Sequence, residues 1–163
     1  MDVEKEYDSK EVLQMVTFNL GNEEYSVDIL KVQEIIRLME ITRVPNAADF
    51  IDGVINLRGK VIAVMDLRKR FGMALSDDSS EARIIVVDLD GLTIGLKVDA
   101  VSEVLRLPAD KVDPAPSLSG KSDSDYIQGI GKLDDRLIIL LNVERLLSEH
   151  EKETLNRVAD PAA

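Results

Sequence analysis

Hydrophobic residues fall at every second position through much of this chain. Val16, Phe18 and Leu20 alternate with polar or small residues, Gly21-Asn22 follows as a turn, and Tyr25, Val27 and Ile29 resume the alternation. A period of two sends one face of an extended segment into a core and the other toward solvent, so this stretch predicts a β-hairpin. Residues 84–87 form an apolar run, and Leu92, Ile94, Leu96 and Val98 alternate after Asp90-Gly91. Asp-Gly is a strong two-residue hairpin signal because both turn positions need positive φ. A further hairpin is predicted around Arg58-Gly59, with Val54-Ile55-Asn56-Leu57 before it and residues 61–65 after it.

The pattern repeats. At an offset of 69, residues 16–38 align on 85–107 without a gap, placing Leu20 on Leu89, Val32 on Val101, Glu34 on Glu103 and Arg37 on Arg106. At an offset of 76, residues 50–71 align on 126–147, placing Ile51 on Ile127, Gly53 on Gly129, Leu57 on Leu133 and Ile62 on Ile138. Two ungapped blocks in the same order indicate an internal duplication. Each half then has a hairpin, a Val-x-Glu-[Ile/Val]-[Ile/Leu] segment, a second hairpin and a short closing helix near 67–71 or 143–147. The spacing in the middle segment fits a helical turn or a strand. Its β-branched residues and the following Thr42-Arg43-Val44-Pro45 favour a turn that passes into a strand.

Five short strands per half predict a small barrel. A barrel of that size buries too little surface to stand comfortably alone. The expected fold class is therefore all-β with a few short helices, two five-stranded barrels packed on a shared apolar core. Residues 1–12 read as a disordered tail, and 13–150 as one domain. Its halves are 13–75 and 82–148, with an exchange of edge elements between them left open. Residues 76–80 read as a linker, 114–125 as a loop and 151–163 as a second tail, in which a short amphipathic helix would put Leu155 and Val158 on one face.

Composition narrows the function. Hydrophobic residues are 45% of the 163, enough for a packed interior, while the net charge of −11 disfavours phosphate backbones and anionic lipid. With aromatics at 4%, stacking on nucleic-acid bases is poorly supplied. No apolar run reaches the roughly 20 residues of a membrane span. The acidic start, MDVEKEYDSKE, is unlike a signal peptide, so a cytoplasmic location without direct membrane insertion is expected. There is no Cys, which removes disulfides, Cys-based zinc sites and thiol nucleophiles.

The supply of catalytic groups is thin. His150 is the one histidine and lies in the polar C-terminal stretch, so a nucleophile-base pair has no evident base. Asp88-Leu89-Asp90-Gly91 starts like a calcium loop but has Leu92 where the next ligand belongs. Gly129-Ile130-Gly131 has strand-like residues on both sides, which fits close packing better than a phosphate cradle. Asp66 could accept a phosphoryl group, but its repeat equivalent is Asn142, which suggests a helix cap. No catalytic residue, cofactor or metal is expected. Arg58 stands out, because a hairpin tip usually carries Asn-Gly or Asp-Gly. Its five donors suit a carboxylate or a bidentate protein contact, with Glu34 a candidate partner; a solvated arginine and a structural ion pair are the plainer readings.

Three stretches resemble the CheW family of chemotaxis adaptors: the run from Glu24 to Ile35, the run Gly53-Val54-Ile55-Asn56-Leu57-Arg58-Gly59 continuing to Asp66-Leu67-Arg68, and the run from Val98 to Leu105. The similarity covers about residues 14 to 150, with Ala63 standing where the family often has Pro. The resemblance implies SH3-like barrels and no enzymatic activity. It implies two partners, the cytoplasmic hairpin tip of chemoreceptors and the regulatory domain of the histidine kinase CheA. It also implies a receptor groove between the barrels at Val32, Glu34, Gly53, Asn56, Arg58, Val101 and Val104. Alternatives are a paralogue in a non-flagellar pathway and a small-ligand-binding or hydrolytic β-barrel, which would need a pocket with convergent polar groups.

Overall fold

The structure is a computed structural model that describes residues 11–75, 78–114 and 126–159, with side chains to residue 156. Among the described residues, eleven strands form two sheets. In chain order they are β1 (Val12–Leu20), β2 (Glu23–Asp28), β3 (Val32–Arg37), β4 (Ile51–Leu57), β5 (Lys60–Asp66), β6 (Arg83–Leu89), β7 (Leu92–Val98), β8 (Ala100–Pro108), β9 (Val112–Pro114), β10 (Ile127–Leu133) and β11 (Arg136–Leu141). The described residues also form two α-helices, α1 (Leu67–Arg70) between β5 and β6 and α2 (Glu149–Ala159) after β11, besides short 3-10 turns. One sheet runs β8-β1-β2-β11-β10-β9 and the other β3-β6-β7-β5-β4.

The open question of exchange is answered by that order. Each sheet takes its opening hairpin from the other half of the chain: β1–β2 sits with β8 to β11, and β6–β7 with β3 to β5. The duplication holds at the level of single residue pairs. Val16 faces Val27 and Ile85 faces Leu96, both shifted by the same 69 positions. Across the swapped edges Val16 faces Val104 and Ile85 faces Ile35. The irregularity at Thr17/Phe18 recurs at Val32/Glu34, on the matching strand pair. The second hairpins agree likewise, Ile51 with Met65 and Ile127 with Leu141, each followed by a shift at the next glycine.

Three apolar clusters follow from alternation along these strands. Ile55, Ile62, Val64, Ile84 and Val86 fill one barrel, and Met15, Leu107 and Leu140 the other. The largest lies between them. Phe18, Leu20 and Val27 meet Ile85, Leu89 and Leu96, none more than 1% exposed. Each such side chain contributes about 1.5–3 kcal/mol on burial. The swapped hairpins supply both sides of this seam, so each barrel is completed only by the other half of the chain.

Charged and aromatic groups pin the seam. Asp99, just after β7, accepts hydrogen bonds from Gly21 N at 2.7 Å and from Arg68 Nε at 2.9 Å. The Arg70 guanidinium lies 4.2 Å from the Phe50 ring centroid and 5.1 Å from that of Tyr126, two aromatics that the repeat places at equivalent positions.

The C-terminal segment forms the short amphipathic helix that its sequence allowed, as α2, but the Leu155 face is docked and not solvated, Leu155 being 5% exposed within the seam cluster. Ser148 and Glu151 cap the helix reciprocally: Glu151 Oε1 accepts from Ser148 N at 2.7 Å and Ser148 Oγ from Glu151 N at 3.1 Å. Glu151 also holds Arg70, accepting from both terminal guanidinium nitrogens, Nη1 and Nη2, at 3.2 Å. The charge-rich composition masked a segment that Leu155 and the ion pairs of Glu151 with Arg70 and of Lys152 with Asp90 hold down. Val158 lies among side chains outside the described set. At the other end, β1 already includes Val12, opposite Pro108, inside the expected tail.

Candidate functional site

Arg58 and Gly59 occupy the tip of the β4–β5 hairpin with φ of 54° and 88°. Positive φ at both positions is the two-residue turn whose twist matches the strands. Asn56 holds this turn, its Oδ1 accepting from Gly59 N at 2.7 Å, as Asp88 does for Gly91 at 3.1 Å on β6–β7. A left-handed arginine costs about 1–2 kcal/mol that Gly would avoid. Its side chain is 69% exposed and forms an ion pair with Glu34 on β3. The Glu34 carboxylate raises the Arg58 guanidinium further above its usual range by hydrogen bonding and charge. In the other half, the position matching Glu34 is Glu103. There Arg136, on β11, is the partner: Nη2 donates to Glu103 at 3.0 Å, and Nε and Nη2 donate to Glu24 at 3.0 and 2.7 Å. The repeat therefore keeps an acid at this point of each barrel but answers it with a hairpin-tip arginine in one half alone.

Val32 and Val101 are half-buried against the seam cluster, Val32 opposite Val87 and Val101 opposite Phe18. Val104, opposite Val16, is 52% exposed. Its repeat equivalent, Ile35 opposite Ile85, is 40% exposed. Both prolong the seam's apolar face into solvent. Ile35 was missed in the sequence, although the offset that pairs it with Val104 was there to find it.

Gly53 is placed differently. It is buried on β4, and a Cβ there would stand 2.1 Å from the carbonyl oxygen of Thr42. The Thr42 and Val54 backbones exchange hydrogen bonds at 2.8 Å in both directions, bringing the chain after β3 onto β4. Gly53 thus permits barrel closure. The Gly129-Ile130-Gly131 run is close packing too, with would-be Cβ atoms 2.8 Å from Asp113 O and 2.6 Å from Leu107 Cδ2.

A cavity of about 140 Å³ lies between α1, β7, Leu75 and residues 78–82, lined by Asp66, Arg68, Asp78, Lys97 and Asp99 among others. Its charges are matched within the chain: Lys97 Nζ lies 3.2 Å from Asp52, 3.9 Å from Asp66 and 3.1 Å from Asp78. Asp66 Oδ1 accepts from Arg68 N at 2.9 Å and caps α1, whereas its repeat equivalent Asn142 makes no side-chain cap on the turn that follows it. Burial first, then Asp52, pushes the Asp66 carboxyl above its usual range. Internally paired charges leave little here to orient a ligand. Among the described residues, no group of three or more His, Asp and Glu side chains converges as metal ligands would, and no helix is long and apolar enough to cross a membrane.

The molecule is thus a duplicated, hairpin-exchanged pair of barrels with an exposed apolar seam edge and one arginine-bearing tip. The CheW-like domain family matches residues 14–151. The chain is 40% identical to the chemotaxis protein CheW of Klebsiella aerogenes over 146 residues, 90% of this chain and 88% of that one. It is 37% identical to the chemotaxis protein CheW of Helicobacter pylori, over 89% and 87% of the two chains. Among solved structures, the scaffolding protein TtCheW from Thermoanaerobacter tengcongensis matches with a TM-score of 0.81 at 39% identity, covering 88% of this chain and 97% of that one. The chain belongs to the CheW family, a family of chemotaxis scaffolds and not of enzymes.

Proposed function

We propose that this protein couples chemoreceptors to the histidine kinase CheA in the cytoplasm, as a single two-barrel unit. The receptor's cytoplasmic hairpin tip lies along the seam edge formed by Val32, Val101 and Val104, and Ile35 joins them. Arg58 and Glu34 supply the polar part of the site. Asn56 and Gly53 act indirectly, Asn56 by shaping the Arg58 turn and Gly53 by closing the barrel. The kinase's regulatory domain binds elsewhere on the barrels. The observation that carries this reading is Arg58 itself. A long cation held in a costly backbone conformation, 69% exposed and braced by Glu34, is poor economy for folding and well suited to a contact.

Arg58→Ala tests it. An exposed ion pair contributes about 0–1 kcal/mol to folding, so the variant should melt close to the wild type. An arginine desolvated at an interface is worth about 2 kcal/mol or more, over tenfold in affinity. Calorimetry should therefore show receptor-tip affinity falling at least about tenfold with binding to the kinase's regulatory domain kept. Undiminished receptor binding would move the site elsewhere, and equal loss toward both partners would indicate a folding defect.

A further inference from the structure

Beyond Ile35 and Val104, each outward strip reaches an arginine two residues on. On β3, Ile35 faces Ile85 and Arg37 faces Arg83, so all four share the face that enters the seam at Ile85. On β8, Val104 faces Val16 and Arg106 faces Gln14, which repeats the arrangement in the other half. Arg37 and Arg106 are exposed. Like charges directly opposite each other on neighbouring strands destabilise a sheet, yet Arg37 and Arg83 are paired in this way. Arg83 turns one nitrogen to backbone, Nη1 donating to Ser80 O at 2.9 Å and Ala82 O at 2.8 Å. Among the described residues no carboxylate answers Arg37, Arg83 or Arg106, although the chain carries 31 acidic side chains against 20 basic ones. Many basic groups elsewhere have such partners, Arg68 with Asp99, Arg70 with Glu151 and Arg136 with Glu24, and of those that do not, Arg37, Arg83 and Arg106 are the ones aligned with the exposed Ile35 and Val104. Positive charge left unanswered beside exposed aliphatic side chains, in a chain of net charge −11, suits an occupant that brings its own carboxylates.

We propose that the strips Ile35–Arg37, with Arg83, and Val104–Arg106 are the acid-receiving margins of the receptor groove. Their partner is an apolar helical segment flanked by Asp or Glu side chains. This rests on the reading of the groove given above and adds the chemistry of what it selects. The arginines select and steer, and the aliphatic side chains supply area.

The test is binding of a soluble receptor hairpin-tip fragment to the full chain, measured from about 0.1 M salt, where the Debye length is about 10 Å, to about 1 M, where it is about 3 Å. Wild-type affinity should fall with salt. Arg37→Glu combined with Arg106→Glu should weaken binding about tenfold at the lower salt, and the gap should close at the higher. An Asp-to-Lys or Glu-to-Lys change on the flank of the tip should restore binding to the reversed protein. Arg37→Gln, which relieves the opposition to Arg83, should melt at or above the wild-type temperature while still flattening the salt dependence, so loss of fold cannot account for the result. If Ile35→Ser and Arg58→Ala abolish tip binding while salt and the Arg37 and Arg106 variants leave it alone, the groove stands and its acid-receiving margins fall. If none of these changes affects tip binding, both fall.

Discussion

Gly53→Ala should be among the most damaging single-methyl additions to this protein, through the fold and not through a partner. The added Cβ would stand 2.1 Å from Thr42 O and 2.9 Å from Ile41 Cγ2, at a φ of +149°. Neither obstacle can swing aside cheaply, since the nearer is backbone. Relief requires pulling the residues after β3 off β4, which loses the two 2.8 Å hydrogen bonds between Thr42 and Val54. Those two bonds contribute about 1–3 kcal/mol together, and a side chain held in this backbone region costs about 1–3 kcal/mol more. The expected destabilisation is about 4 kcal/mol, a large fraction of a domain's usual 5–15 kcal/mol. In a thermal melt that is a fall of about 8–16 °C for a chain of this length. Urea unfolding should give the same free energy at an unchanged slope. Gly59→Ala is the control, because at a φ of +88° its Cβ would meet nothing within 4 Å. It should cost only the conformational penalty of about 1 kcal/mol. A Gly53→Ala protein with the wild-type midpoint, or one less affected than Gly59→Ala, would refute the closure argument and return Gly53 to the set of direct contacts.

Two further outcomes are expected. Leu155→Ala should destabilise by about 2–4 kcal/mol, the usual loss for a buried leucine, measurable by urea unfolding, because Leu155 is 5% exposed against the seam; a change below about 0.5 kcal/mol, ordinary for a surface position, would mean that α2 is not docked. In acid, Asp99 and Glu24 should set part of the stability profile. Hydrogen bonds from Arg68 and Arg136 respectively hold both carboxyls below their usual range. A depressed folded-state pKa means stability fully present above the ordinary carboxylate range of about 4 and lost as pH falls through the lowered values. Asp99→Asn should lower stability at neutral pH and flatten the loss below about pH 4, seen in melts across that range; an acid profile parallel to the wild type would rule out the Arg68–Asp99 pair as its source.

Much was legible in the chain because local physics dictated it. Alternation at Val16, Phe18 and Leu20 requires a strand with one apolar face, and the Asp90-Gly91 and Arg58-Gly59 pairs require tight turns wherever the strands go. The two ungapped offsets implied that matching residues share a role, and the strand registers match to the residue. The cap expected at Asp66 and its equivalent Asn142 forms at Asp66 alone; Asn142 precedes a 3-10 turn and makes no side-chain cap. Tertiary structure decided the rest, because a period of two says which residues are apolar-faced but not which strand lies alongside. The alternation in β1 is the same whether it pairs with β3 or, as it does, with β8. That choice makes the seam the main core and leaves Ile35 and Val104 at its exposed edge. The polar stretch after Ser148 became a docked helix because Arg70 and the seam lay within reach of Glu151 and Leu155. The role of Gly53, likewise, depends on a carbonyl eleven residues earlier, which no pattern around the glycine could reveal.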